Sequence, residues 1–308
     1  MGLDLNAVPE WGWTSLALAL VALEVLVMIA VNSLAQRSQF SGASGLAIFA
    51  RWLRWVTIAV LGASLTFSLT QDYPFWVLFL VCFLVWFLLE TGYNWLAINA
   101  ISHSEIPLFP RFEPNRRGDE WPSQPRFIEL RNWLREHNLQ RADALVTRAG
   151  QHELRRVSIY RNEDDSIRVQ ILFIPAVRQQ IITCYALHSV TEDGERIITD
   201  NIFLPYGGFY PEKWLLERRP GKSSLASLWK RHLERMDAHG GPFVPIEVDP
   251  QLVINDDQRV LERLNRQLGF LNNDEEEEEM VGRITAAGRF RIWTEMWMLG
   301  YLGRSHRY

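Results

Sequence analysis

FWVLFLVCFLVWFLLETGYNWLA, residues Phe75 to Ala97, is the stretch on which the fold turns. It carries no charge until Glu90, and a run of roughly 20 apolar residues is what a helix needs to cross a bilayer. Two further runs precede it. Trp13 to Leu34 has about the same length. Leu46 to Leu69 carries Arg51 and Arg54 in its first two turns, and its uncharged part, Val56 to Leu69, is too short to span alone, so the arginine turns must enter the membrane. Three such runs before the rest of the chain predict three transmembrane helices, read as about 13–34, 46–69 and 75–97.

Orientation is expected from the loops. The tail before the first run holds Asp4 and Glu10 but no Lys or Arg, and the short loop between the second and third runs holds only Asp72. Arg37, Arg51 and Arg54 fall between the first and second runs, and Arg111, Arg116 and Arg117 follow the third. Because positive charge is retained in the cytoplasm, the N-terminus is expected outside and the C-terminal part inside. The compact loops and simple topology suggest a bacterial inner membrane. Trp11, Trp13, Trp76 and Trp95 sit near span ends, as in an interfacial aromatic belt. The first run lacks the basic flank of a signal peptide, and the N-terminus lacks the Ser or Thr of a myristoylation site, so we read it as a retained helix.

Four charges fall inside these runs. At about 1.5 Å per residue, Glu24 lies roughly 15 Å from Leu34 and Arg54 roughly 12 Å from Leu46. On the same scale Glu90 lies about 10 Å from Ala97 and Arg51 about 8 Å from Leu46. Matching depths pairs Glu24 with Arg54 and Glu90 with Arg51, which avoids the roughly 2.5–3.5 kcal/mol that a lone charge costs at mid-bilayer. Gly62 and Thr66, beside Ala59 and Ala63, give the second helix a small-residue face for close packing. We read the pairs as structural. The alternative is an oligomeric channel or transport subunit using Glu24, Arg54 and Glu90.

Of 308 residues, 48% are hydrophobic and the net charge is −4. That balance suits an anchor plus one soluble domain and argues against a nucleic-acid partner. Two cysteines, Cys82 and Cys184, make neither a disulfide framework nor a zinc knuckle. We divide the chain into residues 1–101 as anchor, 102–125 as a proline-rich linker, and 126–308 as a cytosolic α+β domain. Pro107, Pro110, Pro114, Pro122 and Pro125 exclude a long helix from the linker.

The domain is expected to open with an amphipathic helix over Arg126–Glu136, then a short helix over Arg141–Arg148. Alternation in Arg155–Arg161 and Ser166–Ile174 predicts a hairpin with Ile159 opposite Ile167, Val157 opposite Val169, and one wet face. Gln179–Val190 and Arg196–Leu204, joined through Asp193-Gly194, predict a second. The expected sheet is mostly antiparallel, of about four strands with flanking helices. Further helices are expected from Ser223 or Ser224 to His239, from Asp256 to Leu268 with a stripe of Val260, Leu261, Leu264 and Leu268, and from Thr285 to Leu302. The last is too short and charged to span, and packing on the domain is the preferred placement over a position in the membrane interface. Asp274–Glu279 is an acidic run of the kind that forms a solvated loop.

The most distinctive soluble stretch is Thr199-Asp200-Asn201 through Pro205-Tyr206-Gly207-Gly208-Phe209-Tyr210 to Trp214. Paired glycines among aromatics can bring backbone amides to a ligand, yet no phosphate-loop or dinucleotide pattern completes the motif. A turn packed by its own aromatics is the simpler reading. The candidate ligand- or partner-binding residues are Asp200, Asn201, Tyr206, Gly207, Gly208, Phe209, Trp214 and His232. No histidine has metal-ligand spacing, and no cofactor is implied. Cys184 and His188 share a strand face near Asp200, but residues four apart on a strand are roughly 13 Å apart, too far for a Cys–His pair. The sequence therefore predicts a multi-pass membrane protein whose partners are the bilayer and a protein bound by the cytosolic domain, with a homo-oligomer as an option. The alternative is a membrane-associated enzyme using the 199–214 region with His232.

Overall fold

The computed structural model describes residues 22–23, 25–31, 33, 44–70, 72–104, 107–118, 121–148, 154–175, 181–202, 206, 208–220, 224–246, 249–273 and 282–305. The chain divides into two compact units, Met1–Leu96 and Ala97–Tyr308.

In the first unit, α1 (Ser44–Thr70) packs against α2 (Phe75–Ser102). Among the described residues, two helical segments are long and apolar enough to cross a membrane, Ile48–Leu69 and Phe75–Ser102. The expected three spans are thereby corrected to two candidate helices. Of the first run, residues 22–23, 25–31 and 33 are helical, while its remainder, including Trp13 and Glu24, lies outside the described residues. Small side chains let the two helices approach. Ala59 and Ala63 are fully buried, and a Cβ on Gly62 would meet Cys82 Sγ at 2.9 Å. Thr66 bonds back to Gly62 O within its own helix. Trp55 fills the interface against Phe83 and Phe87, and its Nε1 donates to Glu90 Oε2 at 2.6 Å. Depth counting had not named this partner. The pair expected between Glu24 and Arg54 falls outside the described residues with Glu24. Away from the interface α2 stays apolar and uncovered, with Leu88 65% and Leu96 68% exposed.

The second unit is built on an eight-stranded sheet in the order β1-β2-β3-β4-β5-β6-β7, with β8 added beside β5. The strands are β1 (Glu113–Pro114), β2 (Gln140–Arg148), β3 (Leu154–Arg161), β4 (Arg168–Pro175), β5 (Ile181–Thr191), β6 (Arg196–Asp200), β7 (Trp214–Arg218) and β8 (Phe243–Val244). All neighbours are antiparallel except β6 and β7, which run parallel. A sheet of about four strands is therefore corrected to a mixed sheet of eight. Four segments account for the difference, the short strand β8 beside β5 among them. The expected helix over Arg141–Arg148 is strand β2, because pairing with both β1 and β3 outweighs the helix preference of Ala and Leu. The linker contributes β1 and buries Phe109 and Phe112 in the domain. The parallel strand β7 returns after residues 201–213, with no short-range signal to announce it.

Both faces of the sheet are covered. On one lie α3 (Arg126–Glu136) and α4 (Leu225–His239), whose Phe127, Leu134, Leu225 and Leu228 join Ile167, Val169, Ile171, Phe173 and Leu187 in one core. On the other lies α5 (Pro250–Gln267), where Ile254 joins Leu145, Val157 and Ile159. The expected hairpin with one wet face is thus overturned. The observed register sets Ile159 against Gln170 and Val157 against Leu172. The turn runs from Asn162 to Ile167, with Asn162 Oδ1 accepting from Ile167 N and Asp165 at a φ of 55°. This longer turn shifts the pairing by an odd number of residues, and an odd shift exchanges the faces. Gly194, with a φ of 77°, closes the second hairpin where the Asp-Gly step placed it.

Helix α5 begins earlier than expected, with Asp249 as cap accepting from Leu252 N and Pro250 in the first turn. Its buried stripe is Ile254, Asp257, Leu261 and Asn265, while Val260 and Leu268 face outward. The helix thus buries two polar residues that apolar periodicity passed over. Asp257 meets Arg168 Nη2 at 3.4 Å and also pairs with Arg196. These bonds tie α5 to strands β4 and β6.

Removing one member of such a buried network leaves uncompensated charge, which costs about 3–5 kcal/mol. Asp257→Ala is expected to lower the unfolding free energy of the detergent-solubilised chain by about that amount, read by urea denaturation. Asp256→Ala, one residue away in an exposed pair, is expected to change it by less than about 1 kcal/mol.

Candidate functional site

Alternation along β6 divides the predicted site. Ile197 and Thr199 face α4, whereas Arg196 and Asp200 face the side of α5, because successive strand side chains point to opposite faces.

On the α4 side His232 is fully buried. Its Nδ1 lies 2.9 Å from Thr199 Oγ1 and its Nε2 3.0 Å from Ser189 Oγ. A serine and a histidine in contact invite comparison with a nucleophile–base pair. The surrounding donors assign different roles. Arg235 Nη1 donates to Thr199 Oγ1 at 2.7 Å, so the Thr199 hydroxyl is free to donate to His232 Nδ1. The Nε2–H then donates to Ser189, whose hydroxyl donates to Met236 Sδ at 3.3 Å. One order that satisfies every donor runs Arg235, Thr199, His232, Ser189, Met236, with the imidazole neutral throughout. In this tautomer His232 has no lone pair facing Ser189 and cannot take its proton. Burial, with Arg235 nearby, pushes the His232 pKa down to about 3, which fixes the neutral form.

On the α5 side Asp200 is buried and held bidentately by Arg218, Nε to Oδ1 at 2.9 Å and Nη2 to Oδ2 at 3.0 Å. Arg218 Nη2 also donates to the Tyr210 hydroxyl at 3.1 Å. Asn201 caps the sheet, its Oδ1 accepting from Tyr185 N at 2.6 Å. The aromatic loop is organised by a residue the sequence reading missed, Asn265 of α5. Asn265 Oδ1 accepts from Phe209 N at 2.8 Å. Its Nδ2 lies 2.8 Å from Tyr206 Oη, 2.9 Å from Phe209 O and 2.8 Å from Leu261 O. A Cβ on Gly208 would stand 2.4 Å from Tyr206 Cζ and 2.7 Å from Asn265 Oδ1. The glycine thus makes room for the chain's own side chains. Tyr206 packs on Phe109, Tyr210 and Phe270, Arg291 covers Phe209 at 4.0 Å, and Arg196 covers Trp214 at 5.0 Å. Gly207 lies outside the described residues, as does the acidic run Asp274–Glu279.

The structure therefore brings Tyr206, Gly208 and Phe209 together around Asn265, places Asp200 and Trp214 on the same side of the sheet, and sets His232 on the other. Cys184 is buried on the α5 side. His188, on the same face, is paired in register with Arg168. Burial, reinforced by Arg168 and Arg196, pushes the His188 pKa well below its usual value. The spacing of Asn265 from Asp257, two helical turns on one stripe, was the available signal, and only apolar residues had been counted there. Among the described residues no group of three or more His, Cys, Asp or Glu could hold a metal ion. A cavity of about 170 Å³ near Leu108, Glu262, Arg266 and Arg283 contains none of the predicted site residues. No protein-family model matches the chain, and no curated protein or solved structure matches it.

Two predictions follow from the buried polar groups. A histidine whose folded pKa is depressed adds nothing to the pH dependence above the unfolded value. Between 6.5 and about 3 for His232, the unfolded chain binds a proton that the folded chain refuses. Stability is therefore expected to fall with acid through that window, by about 1.4 kcal/mol per pH unit per histidine. His188 acts in the same direction. His232→Gln is expected to flatten the slope of unfolding free energy against pH relative to the parent chain, and an unchanged slope would show that His232 is protonated in the fold. Separately, Asn265→Ala is expected to cost about 1–3 kcal/mol for each backbone group it leaves unpaired at Phe209, while Tyr206→Phe, which keeps the packing, costs less; differential scanning calorimetry ranks the two.

Proposed function

We propose that the protein is a membrane-anchored binding module, held in the bilayer by α1 and α2 and presenting its α/β/α domain to a protein partner on the cytoplasmic side. The observation that carries this reading is the inward commitment of the candidate polar side chains. Asp200 is bonded to Arg218, His232 to Ser189 and Thr199, and Asn201 to the backbone of Tyr185. Side chains engaged in this way supply neither an accessible nucleophile nor a base, so the domain's surface is left as the working part. The division of the constellation between two faces of the sheet supports the same reading over the enzyme alternative. The channel alternative gains nothing from Glu90, whose carboxylate accepts from Trp55.

Membrane residence is supported by the exposed apolar surface of α2. A contiguous patch of this kind is uncommon on soluble monomers, and lipid covers it at no cost. Arg51 and Arg54 in the first turns of α1 and Arg111, Arg116 and Arg117 after α2, with Asp72 alone between the helices, support a cytoplasmic domain under the positive-inside rule. A bacterial inner membrane remains our proposed location.

Two measurements test the proposal. Alkaline carbonate extraction of native membranes is expected to leave the full chain in the pellet, and its release into the supernatant would remove the anchor. Crosslinking in native membranes followed by affinity purification and mass spectrometry is expected to return a stoichiometric protein partner. A copurifying small molecule with no protein partner would instead bring the enzyme reading forward.

A further inference from the structure

Segments far apart in sequence close around the cavity of about 170 Å³, whose walls carry Leu108, Phe109 and Leu271 as apolar members and Glu262, Arg266 and Arg283 as charged ones. Both arginines are positioned by backbone. Arg266 stands in the last turn of α5, where the helix dipole favours a cation, and its Nη1 donates to Asn272 O at 3.1 Å. Arg283 donates from Nη2 to Ile101 O at 3.2 Å and to Ser104 Oγ at 3.3 Å. Asn272 joins the two, since its own N–H donates to Arg283 O at 2.9 Å. The approach of Arg283 to residues 101–104 depends on Gly282. Its φ is 89°, and a Cβ there would stand 2.6 Å from Ser102 Oγ.

The charges around the cavity do not balance. Glu262 Oε2 lies 2.5 Å from Arg111 Nη2, and its Oε1 lies 3.7 Å from Arg266 Nη2. Arg111 is itself held to the wall, donating from Nη1 to Phe109 O at 3.3 Å. Three arginines therefore stand about one carboxylate, an excess of positive charge at a concave surface. Apolar walls lower the local dielectric there and strengthen the attraction for an anion. Size and geometry narrow its class. Sites for drug-sized ligands run from about 300 to 1,000 Å³, whereas 170 Å³ holds one compact oxyanion with a few waters at about 30 Å³ each. A carboxylate presents one planar edge and suits one guanidinium fork. A phosphate offers oxygens in several directions and suits two forks arriving from different segments.

We propose that this cavity binds phosphate, as the free ion or as the phosphate end of a small phosphomonoester, between Arg266 and Arg283. The site goes beyond the binding-module reading and does not depend on the anchor, because every residue in it belongs to the Ala97–Tyr308 unit.

The test titrates inorganic phosphate into the full detergent-solubilised chain at pH 8, where phosphate is mostly a dianion, with sodium chloride holding the ionic strength constant and calorimetry as the readout. Saturable binding is expected for the parent chain and for Arg259→Gln, a control in an exposed pair with Asp256. Arg266→Gln and Arg283→Gln are each expected to weaken it at least about tenfold, the loss of a hydrogen bond to an ion. Glu262→Gln removes the carboxylate from the wall and is expected to tighten binding several-fold. That variant decides the outcome if the arginine variants do not fold, since unchanged or weaker affinity in it overturns the proposal. Absence of saturable binding in the parent overturns it too, as does equal affinity in every variant, which means association with the surface at large. If binding appears only after Asp274–Glu279 are replaced by serine, the chain's own carboxylates hold the arginines and phosphate is not the occupant. Glycerol 3-phosphate then separates the two sources: affinity at or above that of inorganic phosphate assigns the site to a phosphomonoester, and weaker affinity assigns it to the free ion.

Discussion

The carboxylate of Asp257 stands between Arg168 of β4 and Arg196 of β6, and the α5 side of the domain is arranged around it. A buried carboxylate is costly unless it is paired, and a buried arginine is equally so. The three residues thus require one another, and the pairing fixes both the rotation of α5 about its axis and its height on the sheet. Once α5 is set, Asn265 is carried two turns along the same stripe to the place where the 206–210 loop must close. The loop has little hydrogen-bonding regularity of its own. It takes its shape from one amide side chain, which serves both backbone groups of Phe209 and the hydroxyl of Tyr206.

The same economy runs through the other face. His232 is a residue type that usually signals chemistry when it sits beside a serine. Here the order of donors, from Arg235 through to Met236, uses both of its nitrogens and keeps it neutral. In that order the imidazole is a donor toward Ser189. Polar residues inside this domain act as fasteners between helices and sheet.

The sequence by itself determined the local features: the apolar helices α1 and α2, the small-residue face around Gly62, the helix over Arg126–Glu136, the Asp-Gly turn at 193–194 and the stop of α4 at Gly240. Each depends on the nature of a few adjacent residues, as in the left-handed conformation that only glycine adopts without strain. Tertiary structure decided the rest. Arg141–Arg148 became a strand because β1 and β3 were there to pair with it. The β3–β4 register moved by three residues because the turn from Asn162 to Ile167 binds itself through Asn162. The stripe of α5 rotated onto Asp257 and Asn265 because their partners, Arg168, Arg196 and the 206–209 loop, arrive from distant parts of the chain. Burial of a polar group depends on a partner that the flanking sequence does not contain, so the reading by periodicity looked for apolar residues and found the wrong face.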